Sequence, residues 1–276
     1  MKRSIRTAAI TAALGITALM AQQGKKGNAP KVSPGEAQAI QAAQDALQKN
    51  NPDGVITAAD NVLSKFKDTV FKDTILLWEA QAYQQKGDKD KALIYAERSL
   101  DSNPNNFQAA LMLADITVQG TREHDLDRDE KLAKADKYAN QAIAVVTTAE
   151  KPNPQVSDQQ WADYKKDMIA QAHDALGLSA LDKKDYDKAI SELKMAVDDA
   201  AHPEPAFEVR LASAYQSAGK NDEAIATAEK VMNDSTVPQQ IRSVAQSIRA
   251  SAVMAKNGGK PATQNAPPQV EINRKQ

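Results

Sequence analysis

The feature that most constrains this chain is a phrase written twice. AYQQKGDKDKALIYAERSL at residues 82–100 returns in altered spelling as AYQSAGKNDEAIATAEKVM at 214–232. In the first copy Ala82 and Tyr83 end one apolar helical pattern, Gly87-Asp88 breaks it, and Ala92, Leu93, Ala96, Ser99 and Leu100 mark a second stripe at helical spacing. Leu76, Leu77 and Ala80 extend the first stripe leftward, and SNPNN at 102–106 stops the second. The unit is a helical hairpin. Each such hairpin buries only part of its apolar surface and needs a like neighbour to cover the remainder, which is why the phrase recurs.

Further copies follow the same plan. Residues 170–197 carry Leu176-Gly177, Tyr186, Ala189, Leu193 and Ala196, and residues 205–232 carry Leu211, Ala212, Tyr215, Gly219, Ala224 and Ala228. Two looser copies fill the remainder. Residues 36–66 place Ala43, Ala46, Val55, Ala59 and Leu63 on the stripes, behind a capping box at Ser33-Pro34-Gly35-Glu36. The other begins at 107–120 and resumes at 131–146 with Ala135, Ala139, Ala142 and Ile143, after the insertion TREHDLDRDE. The first small position of each second helix falls at Val55, Ala92, Ala135, Ala189 and Ala224, in steps of 37, 43, 54 and 35 residues. The longest step contains SDQQWADYKKDM at 157–168, which extends the following helix backwards to a second capping candidate, Ser157 with Gln160.

The gapless stretch from Asp73 to Asn106 resembles the tetratricopeptide repeat, a helix-turn-helix unit of about 34 residues. Ala80 and Ala92 stand at the small positions, Tyr83 at the aromatic one, Gly87 at the turn and Pro104 at the terminator; Leu76 takes the usual tryptophan place, with Trp78 two residues on. Small residues belong there because they let the two helices approach closely. The resemblance implies an all-α protein, an α-solenoid of about five hairpins at about 36–67, 73–106, 107–147, 157–203 and 205–234, closed by a capping helix at 237–256.

The ends read differently. Lys2, Arg3 and Arg6 precede the apolar run TAAITAALGITALMA, which predicts a secretory signal over 1–21 followed by a flexible linker to 32. The run is too short for a comfortable membrane span, although an uncleaved inner-membrane anchor is the alternative. Residues 257–276, rich in Pro, Gly, Asn and Gln, predict a disordered tail. The chain has no cysteine, so the expected periplasmic or secreted protein has no disulfide, no thiol nucleophile and no lipid attached through cysteine. Its net charge of −1 argues against nucleic acid or an anionic membrane as the main target, since both call for a basic surface.

The family resemblance also implies a function, namely holding a protein or an extended peptide on the inner face made by the first helices, with no cofactor and no catalysis. Carried onto this chain, that face comprises Ile40, Gln44, Leu47 and Gln48 in the first hairpin and Thr74, Leu77, Gln81, Gln84 and Gln85 in the second. It continues with Gln108, Leu111, Asp115, Val118 and Gln119, then Gln171, Asp174, Leu178 and Leu181, then Val209, Ser213, Gln216 and Ser217. The set mixes amides with aliphatic side chains and holds no Lys or Arg, which suits the backbone of an extended peptide better than an acidic carboxyl terminus. Trp161, Tyr164 and Met168 form a further apolar stripe, which either packs on the segment around TTAEKPNPQ or docks a partner, including a second copy of the chain.

Catalysis and metal binding have little to stand on. His124, His173 and His202 lie in an insertion, a first helix and a link, with no HExxH pair, nucleophile elbow or phosphate-binding glycine loop. Asp125, Asp127 and Asp129 alternate as at the start of a calcium loop, but Glu130 stands where the turn needs glycine and Asp136 where a bidentate Glu is required.

Overall fold

The computed structural model describes residues 32–152 and 154–259. The expected signal segment, the linker up to residue 31 and the tail from 260 lie outside the described residues. The described residues form eleven helices and no strand. In chain order these are α1 (Pro34–Gln48), α2 (Pro52–Lys65), α3 (Lys72–Gln85), α4 (Lys89–Ser102), α5 (Phe107–Gly120) and α6 (Arg128–Thr148). They are followed by α7 (Asp158–Asp182), α8 (Tyr186–Asp199), α9 (Pro205–Ser217), α10 (Asn221–Asn233) and α11 (Gln239–Lys256). The architecture is the all-α hairpin series expected of a solenoid, and it divides into two compact units.

Unit one holds the described residues up to 113 together with 148–162. Here α1 packs on α2, α2 on α3 and α3 on α4. Ile40, Ala59, Val62, Phe71 and Ile75 make one core cluster, and Ala46, Val55 and Ala82 make another, so α1 and α3 lie side by side over α2. Asp73 ties the far end of this unit. Its carbonyl accepts the Ser99 hydroxyl at 2.7 Å, and its carboxylate accepts the side-chain amides of Asn103 at 2.8 Å and Asn106 at 3.3 Å. Asn106 in turn caps α5 by accepting the Ala109 N–H at 3.1 Å, so the SNPNN stop both ends one hairpin and starts the next.

Unit two holds 114–147 and the described residues from 163. Arg128, at the start of α6, donates to the carbonyl of Asp182 at the end of α7, and Lys183 meets Asp136 at 2.6 Å. Leu181, Ala189, Leu193, Leu211 and Ala214 knit α7, α8 and α9. The closing helix α11 packs on α9 and α10, burying Val209, Ala228 and Val231 against Val237, Ala245 and Ile248. The terminal hairpin is thereby covered on its otherwise open side.

Two backbone details explain why the hairpins close as they do. Asn50, Gly87, Lys184 and Gly219 each stand five residues before the marker of their hairpin, and all four are left-handed, with φ of 49°, 77°, 61° and 74°. Two of these turns use glycine and two carry a side chain into the region it disfavours. At Gly177 the constraint is contact: a Cβ there would sit 2.5 Å from Leu193 Cγ, so α7 and α8 approach through a missing methyl group. The second capping box is complete, with Gln160 N–H donating to Ser157 Oγ at 3.1 Å and Ser157 N–H donating to Gln160 Oε1 at 3.0 Å.

Candidate functional site

In unit one the first helices α1 and α3 present amides to solvent. Gln48, Gln84 and Gln85 are exposed and Gln81 is half-buried. Gln85 reaches across to the first turn, where its Nε2 donates to Asn50 Oδ1 at 3.0 Å, and Lys86 pairs with Asp53 beside it. The result is a strip of donors and acceptors along the edge shared by α1 and α3, with its charges confined to one end. Gln108, on the first turn of α5, is half-buried. Gln44, Leu77 and Leu111, expected on the same face, are buried and contribute packing instead of open surface.

The corresponding positions in unit two are more closed. Asp115 and Gln119 are half-buried and bonded to each other at 2.5 Å. Gln171, Leu178 and Gln216 are half-buried, while Asp174, Val209 and Ser213 are buried. Val209 lies in the cluster beneath α11, and Asp174 receives the guanidinium of Arg210, so neither is presented to a partner. The spacing rule placed these residues on the inner register; the capping helix and an ion pair removed them from the surface.

The Trp161 stripe resolves towards packing. Trp161 is 8% exposed and Tyr164 3%, with Met168 half-buried, and the indole N–H of Trp161 donates to the Ala149 carbonyl at 3.3 Å. The extension of α7 therefore clamps the connecting segment, and no exposed Trp161 face is left for a second copy to use.

The three histidines sit on separate elements. His173 Nδ1 lies 2.7 Å from Glu192 Oε2. His202 is held twice by Asp167, its backbone N–H and its Nδ1 each at 2.8 Å, which fixes the link between α8 and α9 to α7. In the insertion, Lys131 Nζ stands 2.9 Å from both Asp125 and Asp127. Its hydrogen bonds to Asp127 and Asp125 hold the ammonium above the ordinary lysine range, and the bond from Lys131 holds Asp125 below the ordinary carboxylate range. The two carboxylates that began the calcium-like pattern are thus occupied by an internal cation. Among the described residues no cluster of three or more His, Asp or Glu could hold a metal ion, and no helix is long and apolar enough to cross a membrane.

One group escaped sequence reasoning altogether. Glu79 on α3 is 0% exposed, and burial pushes its carboxyl up to about 7. Asp182, at the end of α7, is likewise raised by burial, to about 6. The signal for Glu79 was available, because it precedes Ala80 just as Leu176 precedes Gly177 and Leu211 precedes Ala212, which is a core position of the hairpin.

Among known proteins, a family model and two solved structures agree with this architecture. The family model described as the tetratricopeptide repeat matches residues 74–106, the hairpin of α3 and α4. Two crystal structures of MamA superpose with TM-scores of 0.52 and 0.50, at 18% and 19% identity, covering 71% and 69% of this chain and 90% and 92% of theirs. A thermophilic TPR protein from Thermus thermophilus is 22% identical over 79% of this chain and 99% of its own, with a TM-score of 0.49. No curated protein matches the sequence.

Proposed function

We propose that this chain, a tetratricopeptide-repeat protein, is a non-catalytic scaffold that seats an extended segment of a protein partner against the amide strip of α1 and α3. The observation that carries this reading is the set of amides on two adjacent first helices, with Gln48 and Gln84 exposed, Gln81 half-buried, and Gln85 exposed while bonded through its Nε2 to Asn50. An extended peptide offers alternating N–H and C=O groups, and a primary amide answers either one without the desolvation cost of a charge. The adjoining first-helix positions at Gln44 and Leu77 are buried and hold the strip rigid from beneath. No cofactor enters this scheme, and His173 and His202 are engaged in fastening helices to each other.

The test is a screen of extended peptides against the wild type and against Gln81→Glu combined with Gln84→Glu. Carboxylates can accept but not donate, so the strip loses half its grammar. The expected result is at least about a tenfold loss of affinity, roughly 1.4 kcal/mol, with helicity and melting unchanged. Equal affinity for both proteins discards the strip. Crosslinking from Gln84 in the native cell then identifies the partner. The basic and apolar residues of 1–21 support a place in the periplasm or outside the cell, and fractionation that recovers the protein in the cytoplasm would overturn that placement.

A further inference from the structure

Glu79 occupies a place where its sister hairpins put Leu176 and Leu211, both buried. It sits on the side of α3 that faces α2 and α4, with Asp60 on the first and Tyr95 and Arg98 on the second. Neither carboxyl oxygen closes a well-formed hydrogen bond, although the Tyr95 hydroxyl of α4 lies beside them. The charged groups that face it are Asp60 from α2 and Arg98 from α4. Asp60 repels a carboxylate. Arg98 is already placed over the Tyr95 ring, 4.9 Å from its centroid, and Tyr95 stacks on Tyr83 of α3 at 5.2 Å. The nearest cation is therefore spread over an aromatic face, and no counter-charge reaches the carboxyl directly. Such a site accepts a neutral acid and penalises an ion.

We propose that Glu79 is a protonation latch: the α3–α4 hairpin is firm while the buried carboxyl keeps its proton and loosens when the proton leaves, so that unit one grips its partner less tightly as the medium turns alkaline. The consequence for binding rests on the amide-strip reading, because Gln81, Gln84 and Gln85 ride on the same helix. Burial pushes the carboxyl from an ordinary 4.5 up to about 7, outweighing the pull of the Tyr95 hydroxyl and Arg98 towards the ion, and Asp60 adds to the rise. A raised acid favours the folded form fully below about 4.5; that advantage drains away between about 4.5 and about 7 and is gone above it.

The experiment follows Glu79 by carboxyl-carbon NMR and the α3 and α4 amides by hydrogen exchange, corrected for the intrinsic effect of pH. A Glu79 midpoint near 7 is expected, and a midpoint near its ordinary 4.5 overturns the latch. Protection of α3 and α4 in the wild type should fall about tenfold or more from pH 5.5 to pH 8. Glu79→Gln, which is neutral throughout, and Glu79→Leu should show no such fall. A wild type without the fall, or a Gln variant that keeps it, sinks the proposal. Peptide affinity measured at the same two pH values separates the two readings: a pH response in exchange with no response in affinity upholds the latch and counts against the strip as the seat of the partner.

Discussion

Arg210 of α9 and Asp174 of α7 form an ion pair with 7% and 6% of their side chains exposed. A pair this deep gives up hydration on both sides, so its net contribution is small while the cost of orphaning one partner is large. Arg210→Met alone should lower unfolding free energy by about 3–5 kcal/mol, and Arg210→Met with Asp174→Leu should recover most of it. Urea melts of the two variants check this.

Lys184 holds φ at 61° where the equivalent turns use Gly87 and Gly219. Lys184→Gly should therefore stabilise the protein by about 0.5–1 kcal/mol, and Gly87→Ala should cost a similar amount. Opposite shifts in melting temperature are the expected outcome. A loss of stability in both variants would mean that the weak contact of Lys184 with Glu123, at 3.5 Å, outweighs the backbone strain.

At Gly177 the methyl of alanine would come within 2.5 Å of Leu193 Cγ and 2.9 Å of its Cδ2. Leu193 is fully buried and has nowhere open to turn. Gly177→Ala should cost about 1–3 kcal/mol by overpacking, and adding Leu193→Val should return part of that loss. The same double-variant melts decide whether the strain is local.

Trp161→Phe keeps the buried ring and removes the bond to Ala149, a change of about 1 kcal/mol. Trp161→Ala should cost about 3–5 kcal/mol. Both variants should sediment with the mass of the wild type, because the ring is spent on packing within the chain. A change of mass would reinstate this surface as a contact between copies.

How far the sequence reaches is clearest from particular residues. The hairpins were legible because Ala80, Ala92, Ala189 and Ala224 recur with a turn signal before each second helix, and the helices follow that pattern. Lys184 was legible only by register, since nothing in the residue type suggests a left-handed turn. Glu79 reads as one more helical acid until the copies are laid over Leu176 and Leu211. Asp174 and Val209 carry the inner-face register correctly, but what covers them depends on Arg210 and α11, which come from 36 and some 30 residues further on. The Trp161 stripe left two readings open because periodicity reports an apolar face and not its neighbour.

In unit one each helix leans on the one made just before it, from α1 through α4. The chain can therefore harden in the order in which a ribosome releases it, each hairpin offering a finished wall to the next before distant residues exist. A stall after α4 would leave unit one without its 148–162 segment, and an error in the turn at Asn50 would be felt by every later step of that growth.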